Sequence, residues 1–152
     1  MILIDSIYIH NGGGKNILDN LCNKIQEFGL DNNFFFLLDS RYSSEIKFKN
    51  YKKINPSEIN RFKFYRKNIN DFNRVICLAN VPPPIKIEKH VDIYFHNDLF
   101  INPTKNSLTL LNKLILLVKS YYIQNRNRNK YVWNVQTNLM KNKLINEFEI
   151  IE

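Results

Sequence analysis

Between residues 2 and 38 the hydrophobic period changes twice, and few folds accept that order of elements. Ile2 to Ile9 is dominated by β-branched and aromatic residues and runs into His10-Asn11-Gly12-Gly13-Gly14, which predicts a strand followed by a loop. Ile17, Leu18, Leu21, Cys22, Ile25 and Phe28 then fall at helical spacing, with Gly29 placed to end the helix in a left-handed cap. The continuous apolar run Phe34 to Leu38, which stops at Asp39-Ser40-Arg41, fits a strand buried on both faces. The sum is a βαβ unit with a glycine loop at its first turn.

The rest of the chain continues the alternation. Segment 42–54 is polar and irregular, with a short strand expected near Ile46 to Phe48, and Pro56 with Ser57 opens a helix to about Asn70. Strands are predicted at Val75 to Ala79, Val91 to Phe95 and Tyr131 to Val135, separated by the Pro82-Pro83-Pro84 loop and by a helix from about Leu108 to Gln124. A last helix starts near Thr137. The expected fold class is α/β, a Rossmann-like, mainly parallel sheet with helices on both faces. With 152 residues, 44% of them hydrophobic, the chain can bury one core, so one domain over residues 1–152 is expected.

Charge and cysteine content narrow the partners. A net charge of +8 draws phosphates, anionic lipid head groups or nucleic acid, although part of the Lys and Asn excess is what AT-rich codons produce. Cys22 and Cys77 form no CxxC pair and lie in apolar stretches, so packed thiols in a reducing compartment are expected, with no disulfide and no metal. The N-terminus has no basic region before its apolar residues and is not expected to be a signal peptide. The segment Leu108 to Val118 is broken by Asn112 and Lys113 and is too short to cross a bilayer, which points to a cytoplasmic protein that touches a membrane at most peripherally.

Ligands of open parallel sheets bind beyond the carboxyl ends of the strands, so the residues that follow each strand are the candidates. Gly12-Gly13-Gly14 stands just before a helix N-terminus, where free N–H groups and the helix dipole favour a phosphate, and Lys15 adds a charge; the alternative is a tight turn without a ligand. A Walker A loop is excluded, because Asn16 follows Lys15 and the upstream glycine is missing. The dinucleotide fingerprint is met at Gly12 and Gly14 but has Ile17 in its third place, while Asp39 stands where a ribose hydroxyl would bind. His96 closes an apolar strand and faces the same crevice, as a site residue or as a hydrogen-bonded structural one; His10 precedes the loop and His90 lies at the opposite end of the same strand as His96. The helix after Ser57 interleaves Arg61, Lys63, Arg66 and Lys67 with Phe62, Phe64 and Tyr65, a pattern of anionic surfaces and of half-buried helices alike.

Four of these pieces together resemble a known family. Ile4-Asp5-x-Ile7-Tyr8-Ile9-x-Asn11-Gly12-Gly13-Gly14-Lys15, Asn80-Val81-Pro82-Pro83, Tyr94-Phe95-His96-Asn97 and Trp133-Asn134-Val135-Gln136-Thr137-x-x-Met140-Lys141 occur in the order found in the N-terminal domain of GT-B glycosyltransferases of the group-1, or family-4, type. Bacterial members build surface polysaccharides. The resemblance implies that Gly12, Gly13, Gly14, Lys15 and Asn97 lie against the donor diphosphate and the acceptor. His96, in the catalytic position, would orient the donor sugar. It implies no cofactor beyond a nucleotide-sugar donor, and a saccharide or lipid-linked acceptor; the basic charge adds an expected peripheral contact with an anionic membrane, and with no recognisable nucleic-acid motif no specific nucleic acid is expected. It also implies that the nucleotide-sugar domain, with its paired glutamates, is not among these residues and would come from a C-terminal domain or a second polypeptide, so that this chain alone would be inactive. Two other readings stand beside it: a nucleotide- or dinucleotide-binding Rossmann domain, and a non-enzymatic basic module whose helix around Arg61 to Lys67 would be fully exposed.

Overall fold

The computed structural model describes residues 1–97, 100–101, 109–126 and 131–148. Strand β1 (Ile2–Ser6) leads into helix α1 (Gly12–Glu27), strand β2 (Phe34–Asp39) and strand β3 (Tyr51–Ile54). Helix α2 (Glu58–Asn68) returns the chain to β4 (Arg74–Cys77), and β5 (His90–Phe95), α3 (Leu110–Arg126), β6 (Tyr131–Val135) and α4 (Asn138–Phe148) complete the order. The six strands form one sheet, all parallel, in the order β3-β2-β1-β4-β5-β6. The chain thus adopts the expected Rossmann-like α/β fold.

Side-chain alternation along the strands separates two cores. Leu3 of β1 joins Leu37, Val75, Val91 and Ile93 beneath Phe64 and Tyr65 of α2. Its neighbour Ile4 points the other way and packs with Phe36 and Leu38 against Leu18 and Ile25 of α1. Helices therefore cover both faces. A third cluster, Phe95, Ile101, Ile123 and Leu144, fixes α3 and α4 at the β5–β6 end. Each fully buried aliphatic or aromatic side chain contributes about 1.5–3 kcal/mol, so these clusters hold the layers together.

Several boundaries follow from local chemistry. Helix α1 ends as predicted: Gly29 has φ +64°, its N–H bonds the Gln26 carbonyl at 3.0 Å, and the Leu30 N–H bonds the Ile25 carbonyl at 2.9 Å, a Schellman cap. Helix α2 starts where Ser57 accepts the Asn60 N–H at 3.2 Å. The strand expected near Ile46 to Phe48 is a correction, because these residues form none. Phe48 is buried with its ring 4.6 Å from that of Phe36, while the strand forms at Tyr51–Ile54. That strand is an edge strand whose Tyr51, Lys52 and Lys53 are exposed, so it lacks the apolar run that marks the inner strands. Leu108, Arg128 and Asp98 lie outside the described residues.

Candidate functional site

The strand order reverses between β1 and β4, and the carboxyl-end edge of the sheet at such a reversal is where open parallel sheets bind their ligands. The chain leaves β1 at this edge by a sharp turn. Asp5 accepts the Ile7 N–H at 3.2 Å, the Ile9 N–H bonds the Ser6 carbonyl at 3.0 Å, and Tyr8 takes φ 81°. The strand expected to reach Ile9 therefore stops at Ser6. Asn11 follows as the N-cap of α1 in extended conformation, and its side chain makes no capping bond. The first-turn N–H groups, which a helix cannot satisfy internally, are left without a side-chain acceptor at the positive end of the dipole.

The three glycines serve different ends. Gly12 has φ +62°, where a side chain is strained. A Cβ on Gly14 would lie 3.6 Å from Ile9 and 3.7 Å from His96 Nε2, in ordinary contact with both side chains. At Gly13 a Cβ would meet nothing within 4 Å, and neither backbone nor packing calls for glycine.

The fold thus brings His96 to the glycine loop. Its position is set by Asn80, which follows β4 with φ 64° and whose Oδ1 accepts both the His96 N–H at 2.7 Å and the Asn97 N–H at 3.0 Å. Burial lowers the His96 pKa below the ordinary imidazole value, the Tyr94 carbonyl opposing this more weakly, so the ring is neutral at pH 7. Among the described residues two buried side-chain nitrogens or oxygens lack a hydrogen-bond partner: His96 Nδ1 and His10 Nδ1. Leaving such an atom unpaired costs about 1–3 kcal/mol, and both imidazoles adjoin the glycine loop.

No family, curated protein or solved structure matches this chain. The chemistry of the site rests on its own residues.

Other candidates are engaged elsewhere. The Lys15 ammonium bonds Asp19 and Ser44, each at 2.6 Å, and would have to release both to reach the loop. Both oxygens of Asp39 face Arg41, Oδ1 taking its N–H and Nε at 2.9 Å and Oδ2 its Nη2 at 2.7 Å. Burial raises the Asp39 pKa, but the Arg41 bonds outweigh it and hold the carboxyl below its usual range. His90 pairs with Asp92 at 3.3 Å, at the amino end of β5. Gln136 bonds the Tyr94 hydroxyl at 2.8 Å and, with Asn134, Thr137 and Lys141, lines a shallow concavity after β6.

Sequence reasoning missed the group that supports the site. Arg61 is 2% exposed and donates to Asp5 at 2.7 Å, to the Pro82 carbonyl at 2.8 Å and to the Val81 carbonyl at 2.9 Å. The Tyr65 hydroxyl donates to the same Asp5 oxygen at 2.7 Å. Glu58 receives the Tyr8 hydroxyl at 2.7 Å and the Tyr122 hydroxyl at 2.5 Å. A path of direct bonds runs from β1 through Arg61 to Val81, the neighbour of Asn80, and so to His96. Of the two readings of this helix, an anionic-surface binder and a half-buried helix, the structure shows the second. Lys63, Arg66 and Lys67 are exposed, but Arg61, Phe64 and Tyr65 are buried, and the full exposure required of a nucleic-acid helix is not met.

Proposed function

We propose that this chain is the acceptor-side half of a GT-B glycosyltransferase, one wall of a crevice where a sugar passes from a nucleotide-sugar to a saccharide or lipid-linked acceptor in surface polysaccharide synthesis. The observation that carries this is the meeting of Gly14 with His96 beyond β1 and β5, each bringing polar groups that lack a partner. The α1 N-terminus would receive the leaving diphosphate, its N–H groups stabilising the charge that develops as the glycosidic bond breaks. The neutral His96 would bond a hydroxyl of the donor sugar, and Asn97, held by Asn80, would stand beside it. Glycine at position 13 is accounted for by the approach of a ligand to bare backbone. In this scheme the other wall, with the nucleotide site, is a separate domain, and the 152 residues alone transfer no sugar.

A dinucleotide-binding domain is the second reading, because its sheet order is the same and Asp39 stands at the end of β2. Ile17 in the third glycine position and the tie of Asp39 to Arg41 weigh against it.

One titration separates them. In the isotope-labelled chain, inorganic pyrophosphate and then UDP-glucose should shift the amides of Gly12, Gly13 and Gly14 together with the His96 ring. Gly13→Val, which meets nothing in the structure, should remove the shifts and leave the fold intact. Shifts confined to other surfaces overturn the proposal. Tight binding of NAD that is lost in Asp39→Ala replaces it with the dinucleotide reading, and sugar transfer by the chain alone overturns the half-enzyme scheme.

A further inference from the structure

The first half of α3 has its apolar side turned outward. None of residues 110–119 is buried, and the helix packs through Ser120 and Ile123 in its second half. Leu110, Leu114, Leu117 and Tyr121, with Leu111 and Val118 beside them, follow the i, i+4, i+7 spacing of one helical face and are 44–86% exposed. A contiguous apolar face of this kind marks an interaction surface. Among the described residues no helix is long and apolar enough to cross a membrane.

The charge of this part of the sequence is one-sided. From residue 99 to 146 the sequence holds eight Lys and Arg and no Asp or Glu, so this stretch alone accounts for the net +8 of the chain and the remainder sums to zero. Lys113 and Lys119 belong to α3 itself and, at 3.6 residues per turn, stand on the two flanks of the leucine face.

We propose that this face docks on an anionic lipid bilayer, α3 lying in the interface with its leucines at the acyl boundary and Lys113 and Lys119 reaching the head-group phosphates. A second copy of the chain would set the same positive stretch against itself, and a nucleic acid would match the lysines but offer nothing to the leucines. The proposal stands on α3 and its charge, independently of the sugar-transfer reading.

Flotation with vesicles tests it. The chain should bind vesicles of phosphatidylcholine mixed with phosphatidylglycerol and not phosphatidylcholine alone, and salt should weaken binding. Leu114→Gln with Val118→Gln, both at exposed positions, should lower the partition coefficient about tenfold. Lys113→Gln and Lys119→Gln should each lower it about fivefold. Circular dichroism checks that the variants stay folded. Absence of binding to the anionic vesicles overturns the proposal. Binding indifferent to the Leu114 and Val118 substitutions overturns it in favour of diffuse charge attraction, and a dimer in sedimentation that these substitutions abolish overturns it in favour of a second copy covering the face.

Discussion

A guanidinium only 2% exposed must be surrounded by acceptors, and Arg61 is, by the carboxylates of Asp5 at 2.7 Å and Glu58 at 3.4 Å and by two carbonyls. Removing one partner leaves the other charge buried alone, so Arg61→Ala should cost about 3–5 kcal/mol, read from the urea midpoint, and Asp5→Leu added to it should restore part of the loss. An unchanged midpoint would show that water reaches Asp5. The sequence carried a hint, a carboxylate inside the apolar run from Ile2 to Ile9. It could not name the cation, which lies 56 residues away. His96 makes a second prediction. It binds its proton more weakly folded than unfolded, so between its lowered pKa and the ordinary 6.5 the unfolded chain holds more protons. Its contribution to stability is fully present above that ordinary value and is lost as the pH falls through the window. The ring should titrate below 6.5 by NMR, and His96→Gln should flatten the fall in stability across that window; a midpoint at or above 6.5 counts against a buried neutral ring.

At the scale of elements, whatever is written in short-range chemistry was legible. Apolar runs marked the inner strands, Gly29 marked the end of α1, and Pro56-Ser57 marked the start of α2. Ser57→Ala should therefore cost about 1 kcal/mol in thermal or urea unfolding, and a neutral result would mean that packing alone fixes that end. Elements whose pattern answers to something outside themselves were misread. Strand β3 hides behind its lysines because only one of its edges is paired. The outward turn of most apolar residues of α3 was likewise not legible, because hydrophobicity alone does not say which side of a surface a residue will take.

For the whole molecule, the alternation of strands and helices was enough to infer a parallel sheet, but strand order was not readable, because pairing partners are chosen by packing across the entire chain. The candidate site shows the same division. That the glycine loop and His96 each follow a strand is a local fact; that the His96 ring stands where it would meet a side chain at Gly14 depends on β1, β4 and β5 lying side by side. The strand expected over Val75 to Ala79 ends at Cys77, and the connections at residues 40–50 and 78–89 carry no helix and are tied down by side chains, Lys53 bonding the Tyr42 carbonyl at 2.7 Å and Arg61 those of Val81 and Pro82.

The central place of β1 also sets an order of events. Ile2 pairs with Phe34 on one side and with Arg74 on the other, so β1, made before both partners, keeps one edge open until β4 follows it. Until β4 emerges, Leu3 and Ile4 have half a sheet to lie in, and a newly made chain passes through a stage with an open, hydrophobic strand edge. Sheets assembled from such distant pieces close slowly, and this stage is where loss to aggregation will concentrate.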